Sequence, residues 1–329
     1  MAGPKVEQEV QQKVRQYKVT EEEGQRLDNF LFAQFRSLPK SRVYRMVRSG
    51  EVRINGGRAR FHTRLKAGDQ VRLPPVRTPE STAAPTTLPD GLAHALRASV
   101  IEDSDDLLVV NKPAGLAVHG GSGQSWGLIE ALRILHGPRL ELVHRLDRQT
   151  SGVLLVAKKR SVLKAWQVLF RPESRGTNKQ YLAMVDGVWP ARVRSIREPL
   201  LRYERATNEQ AAGERRVRVD PAGKPSHTDV QVLCGTSEST LLQATLRTGR
   251  THQIRVHTAS RGHPVLGDDK YGSAEADARA RSMDVPRLAL HAARLRVTDP
   301  GMRADFIAPV PDDLLPLFNA AGYRGLSED

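Results

Sequence analysis

Three segments of this chain set residues that are costly to bury beside apolar runs that call for burial. They are HRLDRQTSG at 144–152, NKQYLAMVDG at 178–187 and RTGRTHQIRVH at 247–257. In the first, Asp147 stands in a loop just ahead of residues 153–156, whose Val-Leu-Leu-Val run reads as a buried strand. Its carboxylate is therefore expected to be partly desolvated and to need a cation. Arg255, in the third segment, can supply one, because a nearby guanidinium lowers a carboxylate pKa that burial alone would raise. Tyr181 is expected to open a strand and to offer a flat ring with a polar tip. A carboxylate so placed can attack a carbon or take a proton, and a ring beside it can hold a planar group by stacking. Each residue alone also has a plainer role: Asp147 as a turn cap with Arg145 or Arg148, Tyr181 as core, Arg255 as a surface ion pair.

Two other patterns argue against rival chemistries. HGGSG at 119–123 lacks both the GKS/T ending of a phosphate-cradling P-loop and the spacing of a dinucleotide site, so it reads as a turn near a cleft. His144, His252, His257, His263 and His291 come without an HExxH arrangement or a CxxC pair, and no catalytic metal is expected. No cofactor is expected either.

The elements that must hold these residues are mixed. Strands are expected at 100–102, 107–111, 152–157, 180–185, 228–233, 240–246 and 288–297, with a helix over 161–170 built on Val162, Trp166, Leu169 and Phe170. Helices do not alternate strictly with strands. The pattern predicts an α+β domain on a mixed, mainly antiparallel sheet rather than a doubly wound parallel one.

Ahead of it lies a smaller unit. The 329 residues carry 51 Lys and Arg against 37 Asp and Glu, a net +14. Residues 17–76 hold thirteen of the basic and six of the acidic residues, a net +7. Half the excess thus sits in under a fifth of the chain, which points to a polyanionic partner. Leu27, Phe30, Leu31 and Phe35 recur at helical spacing, so residues 26–36 read as a first helix. A second follows Pro39, with Ser41 as N-cap, Val43, Met46 and Val47 buried and Gly50 as its stop. Lys40, Arg42, Arg45 and Arg48 line its other side. EVRINGGRARF reads as a hairpin turning at Asn55-Gly56, with Arg53, Arg58 and Arg60 on its open face, and residues 67–73 close the unit as a turn and a strand. Residues 1–16 are read as a flexible tail, 77–97 as a Pro- and Thr-rich linker, and 98–329 as the larger domain.

The rest of the composition excludes several classes. No apolar run is long enough to cross a bilayer as a helix. One cysteine, Cys234, excludes an internal disulfide and a Cys-based zinc cluster. MAGPKVEQEV lacks the apolar core of a secretory signal, so a reducing cytoplasm is the expected compartment.

Residues 24–73, through RLDNFL, SRVYRMVRSGEVRING and KAGDQV, resemble an S4 RNA-binding domain: helices plus a β-hairpin with a basic edge. HRLDRQTSGVLLVAKK, NKQYLAMVDG and GRTHQIRVHTASRGHPVLGDDKYG resemble the three motifs of the pseudouridine synthases that act on large-subunit ribosomal RNA and related RNAs, with similarity running from NKPAGLAVHGG to LALHAARL. The resemblance implies an isomerase for ribosomal RNA, with Asp147 as the catalytic aspartate, Tyr181 packed against the target base and Arg255 paired with the aspartate. It leaves open whether Asp147 attacks ribose C1′, deprotonates the ribose or adds to uracil C6. Tyr181 is one candidate for the base that removes the C5 proton. Arg145, Arg148 and Arg250 are expected to meet RNA phosphates around the cleft. The implied partner is 23S ribosomal RNA or a large-subunit assembly intermediate, met by a monomer. The competing readings are a sibling synthase of the same architecture that takes other 23S ribosomal RNA uridines, a non-catalytic RNA-binding assembly factor and a metal-dependent hydrolase; intact Asp147, Tyr181 and Arg255 weigh against the second, and the missing ligand motifs against the third.

Overall fold

A computed structural model describes residues 14–20, 22–35, 38, 40–75, 87–120, 126–171, 176–205, 214–299 and 301–326. The chain divides into two units, residues 1–86 and 87–329.

In the first unit the order is β1 (Arg15–Lys18), α1 (Leu27–Gln34), α2 (Lys40–Arg48), β2 (Arg53–Ile54), β3 (Gly57–Arg58) and β4 (Gln70–Leu73). The strands form an antiparallel sheet in the order β1-β4-β2-β3. Leu27, Phe30 and Leu31 of α1 meet Val43, Met46 and Val47 of α2 and Val71 and Leu73 of β4 in one core. Asn55 and Gly56 have φ of 51° and 77°, the left-handed pair that a two-residue hairpin turn requires. Residues 14–16 are not all tail: β1 begins at Arg15, which pairs with Leu73. Helix α2 begins one residue before Ser41, so Ser41 lies in its first turn rather than capping it. Arg36 and Pro39 lie outside the described residues.

The second unit opens with α3 (Asp90–Ala98), β5 (Val100–Asp103), β6 (Leu107–Lys112), α4 (Leu128–His136), β7 (Glu141–Leu142), β8 (Ser151–Ala157), α5 (Arg160–Leu169) and β9 (Thr177–Asp186). It continues with β10 (Ser195–Ile196), β11 (Leu200–Arg205), β12 (Glu214–Val219), β13 (Thr228–Gly235), β14 (Ser239–Leu246), α6 (Gln253–Ala259), α7 (Ala274–Ser282), β15 (Leu290–Asp299), β16 (Met302–Ile307) and α8 (Leu315–Ala320). Helix α3 corrects the expected linker. After Pro89 the prolines stop, Leu92 and Leu96 share one face, and Leu96 is fully buried in the main core. Only residues 87–89 of the described linker stretch precede the helix.

The main sheet runs β10-β13-β14-β9-β15-β8-β6-β5, with β16 on β15 and β7 on β8. All its pairings are antiparallel except β8 with β15, so the expected mixed, mainly antiparallel sheet is what forms. Strand β8 is buried along its whole length because both its faces are covered. Leu154 and Val156 enter one core with Tyr181 and Leu242, while Val153 and Leu155 enter another with Leu163 and Trp166 of α5. Gly152 has φ of 120°, and a Cβ there would come within 2.2 Å of the Ala292 carbonyl. Only glycine lets β8 enter this close to β15, and the loop carrying Asp147 leads directly into that entry point. A separate hairpin, β11 with β12, packs Leu200 and Val217 against Val256 of α6.

Candidate active site

The loop between β7 and β8 is held from the NKPAG segment. Lys112, fully buried, donates from Nζ to the carbonyls of Pro113, Leu116 and Arg148 at 2.8, 2.9 and 3.1 Å. Gly115 N–H donates to Arg148 O, and Arg148 Nε donates back to Gly115 O, each at 2.9 Å. Burial pushes the Lys112 ammonium down to about 7, and the negative charge of Asp147 works against that shift. The three carbonyl acceptors match the three N–H of a charged ammonium. Asp147 itself is one-fifth exposed and opens into a cavity of about 370 Å³.

Tyr181 lines the same cavity. It sits in the middle of β9 rather than at its start, opposite Ala244 of β14 and Ala292 of β15. Burial, reinforced by the charge of Asp147, raises the Tyr181 phenol well above its ordinary pKa.

Arg255 also lines the cavity, from α6, but its partner is not Asp147. The guanidinium forks onto Asp268, with Nε to Oδ2 at 2.7 Å and Nη2 to Oδ1 at 2.5 Å, and Nη2 reaches Asp269 at 3.1 Å. Among the described residues it makes no ion pair with Asp147. The reason is burial: Arg255 is 3% exposed and Asp268 2%, and a guanidinium taken that far from water needs a carboxylate equally enclosed. Asp268 is further fixed by the N–H groups of Lys270 and Tyr271, at 2.9 and 3.0 Å. Arg255 still feels the charge of Asp147, though less than that of Asp268.

Four residues in this cavity were not singled out from the sequence as site residues. Lys179, two positions before Tyr181, shares its face of β9; its Nζ lies 4.1 Å from the Phe170 ring centroid, and burial lowers it to about 8. The period of two was the signal that could have found it. His144 stacks on Phe170 at 5.0 Å and accepts the Leu155 N–H at 3.1 Å. Burial, with the Lys179 charge, pushes this imidazole down to about 3, so it is neutral. Arg202 of β11, held to Thr251, brings a further cation to the rim. His252 faces Asp147, with Nε2 3.9 Å from Oδ2.

Of the arginines expected around the cleft, Arg145 and Arg250 line it, while Arg148 braces Gly115. Arg250 is partly committed, donating to Pro225 O at 3.0 Å. In the first unit Arg45, Arg53, Arg58 and Arg60 are exposed. Arg42 forks onto Glu51 at 3.0 Å, and Arg53 donates to the carbonyls of Gly50 and Gly56. Residues 121–123 of HGGSG lie outside the described residues.

Both units match known protein families. The RNA pseudouridylate synthase family matches residues 106–260, and the S4 domain matches residues 25–71. The ribosomal large subunit pseudouridine synthase C of Pasteurella multocida is 44% identical over 97% of this chain and 98% of its own. The protein of the same name from Escherichia coli is 48% identical over 85% of this chain and 87% of its own. Among solved structures, human RNA pseudouridylate synthase domain containing 4 is similar with a TM-score of 0.55 at 27% identity, covering 70% of this chain and 95% of its own. The chain belongs to the RNA pseudouridylate synthase family, and it carries an S4 domain ahead of the synthase domain.

Proposed function

We propose that this protein isomerises specific uridines of large-subunit (23S) ribosomal RNA to pseudouridine, with the specificity of ribosomal large subunit pseudouridine synthase C, and that Asp147 is the catalytic carboxylate. The observation that carries the reading is that a partly exposed Asp147 and the Tyr181 ring line one cavity within the family-matched stretch. The reaction breaks the uracil N1–ribose C1′ bond, turns the base and rejoins it through C5, which gives up its proton. Nothing is consumed, so no cofactor enters the balance.

A uridine stacked in a helix hides its glycosidic bond, so the substrate nucleotide is turned out of the stack at a cost of a few kcal/mol. Arg145, Arg250 and Arg202 offset that cost by meeting phosphates at the rim, and Tyr181 holds the detached uracil. Arg255 acts on the site through Asp268 and the α6 backbone, and its charge reaches Asp147 through space. The S4 unit adds a phosphate-binding surface with Arg45, Arg58 and Arg60 exposed. The protein acts as a monomer in the cytoplasm, on ribosomal RNA or an assembly intermediate.

The test is tritium release from large-subunit RNA labelled at uridine C5, with pseudouridine mapping of the product. Conversion at defined positions, persisting in excess EDTA with the RNA shown to be folded, is the expected result. No conversion of any large-subunit uridine, with RNA binding retained, would leave an RNA-binding factor in its place.

A further inference from the structure

His252 is one of three non-glycine residues among those described with a positive φ, here 55°. It precedes α6 immediately and has no side-chain bond to the helix it opens. A histidine held in this sparsely populated conformation is fixed by its surroundings, and those surroundings are on its ring. Nδ1 lies 2.7 Å from the Tyr271 hydroxyl. That hydroxyl already accepts the Val217 N–H at 3.0 Å, so its own proton is free to point at Nδ1. An imidazole whose Nδ1 accepts carries its proton on Nε2 when neutral. Nε2 is the atom that faces Asp147 Oδ2, at 3.9 Å.

We infer that His252 is a positioning residue that presents an Nε2–H to the Asp147 carboxylate, its tautomer fixed by the Tyr271 hydroxyl. The inference rests on the reading of Asp147 as the catalytic carboxylate. It completes an otherwise unfinished arrangement: Arg255, the cation expected to orient Asp147, forks through Nε and Nη2 onto Asp268, and among the described residues His252 is the side chain that makes the ion-pair approach to Asp147. Burial lowers the His252 pKa against the pull of Asp147, with Arg255 and Lys270 adding to the shift and Asp268 opposing it, which favours the uncharged ring. At 3.9 Å the separation is longer than a hydrogen bond, and catalytic hydrogen bonds are often this long before the reacting complex forms. Orienting one carboxylate oxygen leaves the other aimed at the nucleotide, whichever of its atoms Asp147 meets. The anchor runs through Val217 of the β11–β12 hairpin, so that hairpin takes part in placing the carboxylate.

The two amide side chains separate this role from mere support of the loop. Asn mimics the Nδ1 position and tolerates left-handed backbone, so His252→Asn keeps the Tyr271 hydrogen bond and loses the donor toward Asp147. Gln reaches the Nε2 position and keeps that donor. Single-turnover tritium release, RNA affinity and a thermal melt are measured on the full chain for each. His252→Asn is expected to lower the single-turnover rate about ten- to hundredfold, the span of a charge-assisted hydrogen bond, with RNA affinity within about twofold of wild type; His252→Gln is expected to recover most of the rate. Tyr271→Phe should slow the wild-type background severalfold and the His252→Gln background no further. Rescue by Asn rather than Gln, or a loss confined to RNA affinity, overturns the inference. So does an equal loss from Tyr271→Phe in both backgrounds. Asp147→Asn is run beside them. Wild-type release from it overturns the catalytic reading and this inference together, whereas an inactive Asp147→Asn with a wild-type His252→Asn overturns this inference alone.

Discussion

Arg255 closes on Asp268 with a two-point fork of 2.7 and 2.5 Å, both side chains almost wholly buried. The pair ties α6 to the turn that carries Asp268, Lys270 and Tyr271, and so builds one wall of the cavity. Removing Arg255 leaves the enclosed Asp268 carboxylate without its cation, which costs about 3–5 kcal/mol, and removing Asp268 leaves Arg255 only the exposed Asp269. Arg255→Met and Asp268→Ala should therefore both lower the melting temperature sharply, and turnover should fall with the wall they support. Arg255→Lys should recover only part, because an ammonium lacks the planar fork. A thermal melt of the three variants checks this; an unshifted Asp268→Ala would remove the pair from the structural argument.

Asp147 is in the opposite position, one-fifth exposed with its nearest ion-pair partner at 3.9 Å. Asp147→Asn should leave the melt and RNA affinity nearly unchanged, because little in the fold depends on its charge. Tritium release should fall to background, since an amide neither attacks ribose C1′ or uracil C6 as a carboxylate does nor takes a ribose proton. Release near wild type from this variant would return Asp147 to the role of a turn residue.

Lys112 carries a prediction about the scaffold. Lys112→Met keeps the length of the side chain and removes the buried donor of three carbonyls, one of them Arg148 O, the residue after Asp147. The loss of stability should be on the order of 3 kcal/mol, read as a lower denaturation midpoint. Activity of the folded fraction should drop as the loop loosens. A variant as stable as wild type would mean that water replaces the ammonium.

The acid side of the stability curve should report His291. It is fully buried, its Nε2–H donating to Ala308 O at 3.2 Å and its Nδ1 accepting from Ser151 at 2.9 Å. Burial lowers this imidazole from 6.5 to about 4, with the positive charge of Arg287 adding to the shift and Asp313 opposing it. Between those values the unfolded chain binds the proton and the folded one does not. The stabilisation is therefore complete above about pH 6.5 and is lost as pH falls toward 4, by at most about 3 kcal/mol. His291→Leu should flatten that part of the profile in melts taken from pH 4.5 to 7.5. An unchanged slope would assign the acid sensitivity to other groups.

In the first unit, Arg45→Ala, Arg58→Ala and Arg60→Ala should each weaken RNA binding and make the dependence of log K on log salt shallower, by about one for each phosphate left without its arginine. Arg42→Ala should do less to the slope and more to stability, because Arg42 is already forked onto Glu51. Titrations at several salt concentrations distinguish the two behaviours.

Much of this protein was legible in the amino-acid order. The two helices and the Asn55-Gly56 turn of the first unit follow from local periodicity and turn chemistry, and the buried Val-Leu-Leu-Val strand marks where the Asp147 loop must end. Those are interactions between near neighbours, and near neighbours are written side by side. Helix α3 was hidden because the prolines before it dominate the composition of the same stretch, although Leu92 and Leu96 carry its face. Pairings between distant residues were decided only in three dimensions. Asp147 and Asp268 are equivalent as charges in a string of letters, and both are open to Arg255. The parallel entry of β8 beside β15, possible because Gly152 has no Cβ, puts Asp147 in the open cavity, while a tight turn brings Asp268 to the buried side of α6. Burial then chose the partner, since a guanidinium removed from water takes the carboxylate that is removed with it. The same folding step brought His252 within 3.9 Å of Asp147 and set Lys179 beside the ring of Phe170, neighbours that depend on strand order and a left-handed turn rather than on any spacing in the chain.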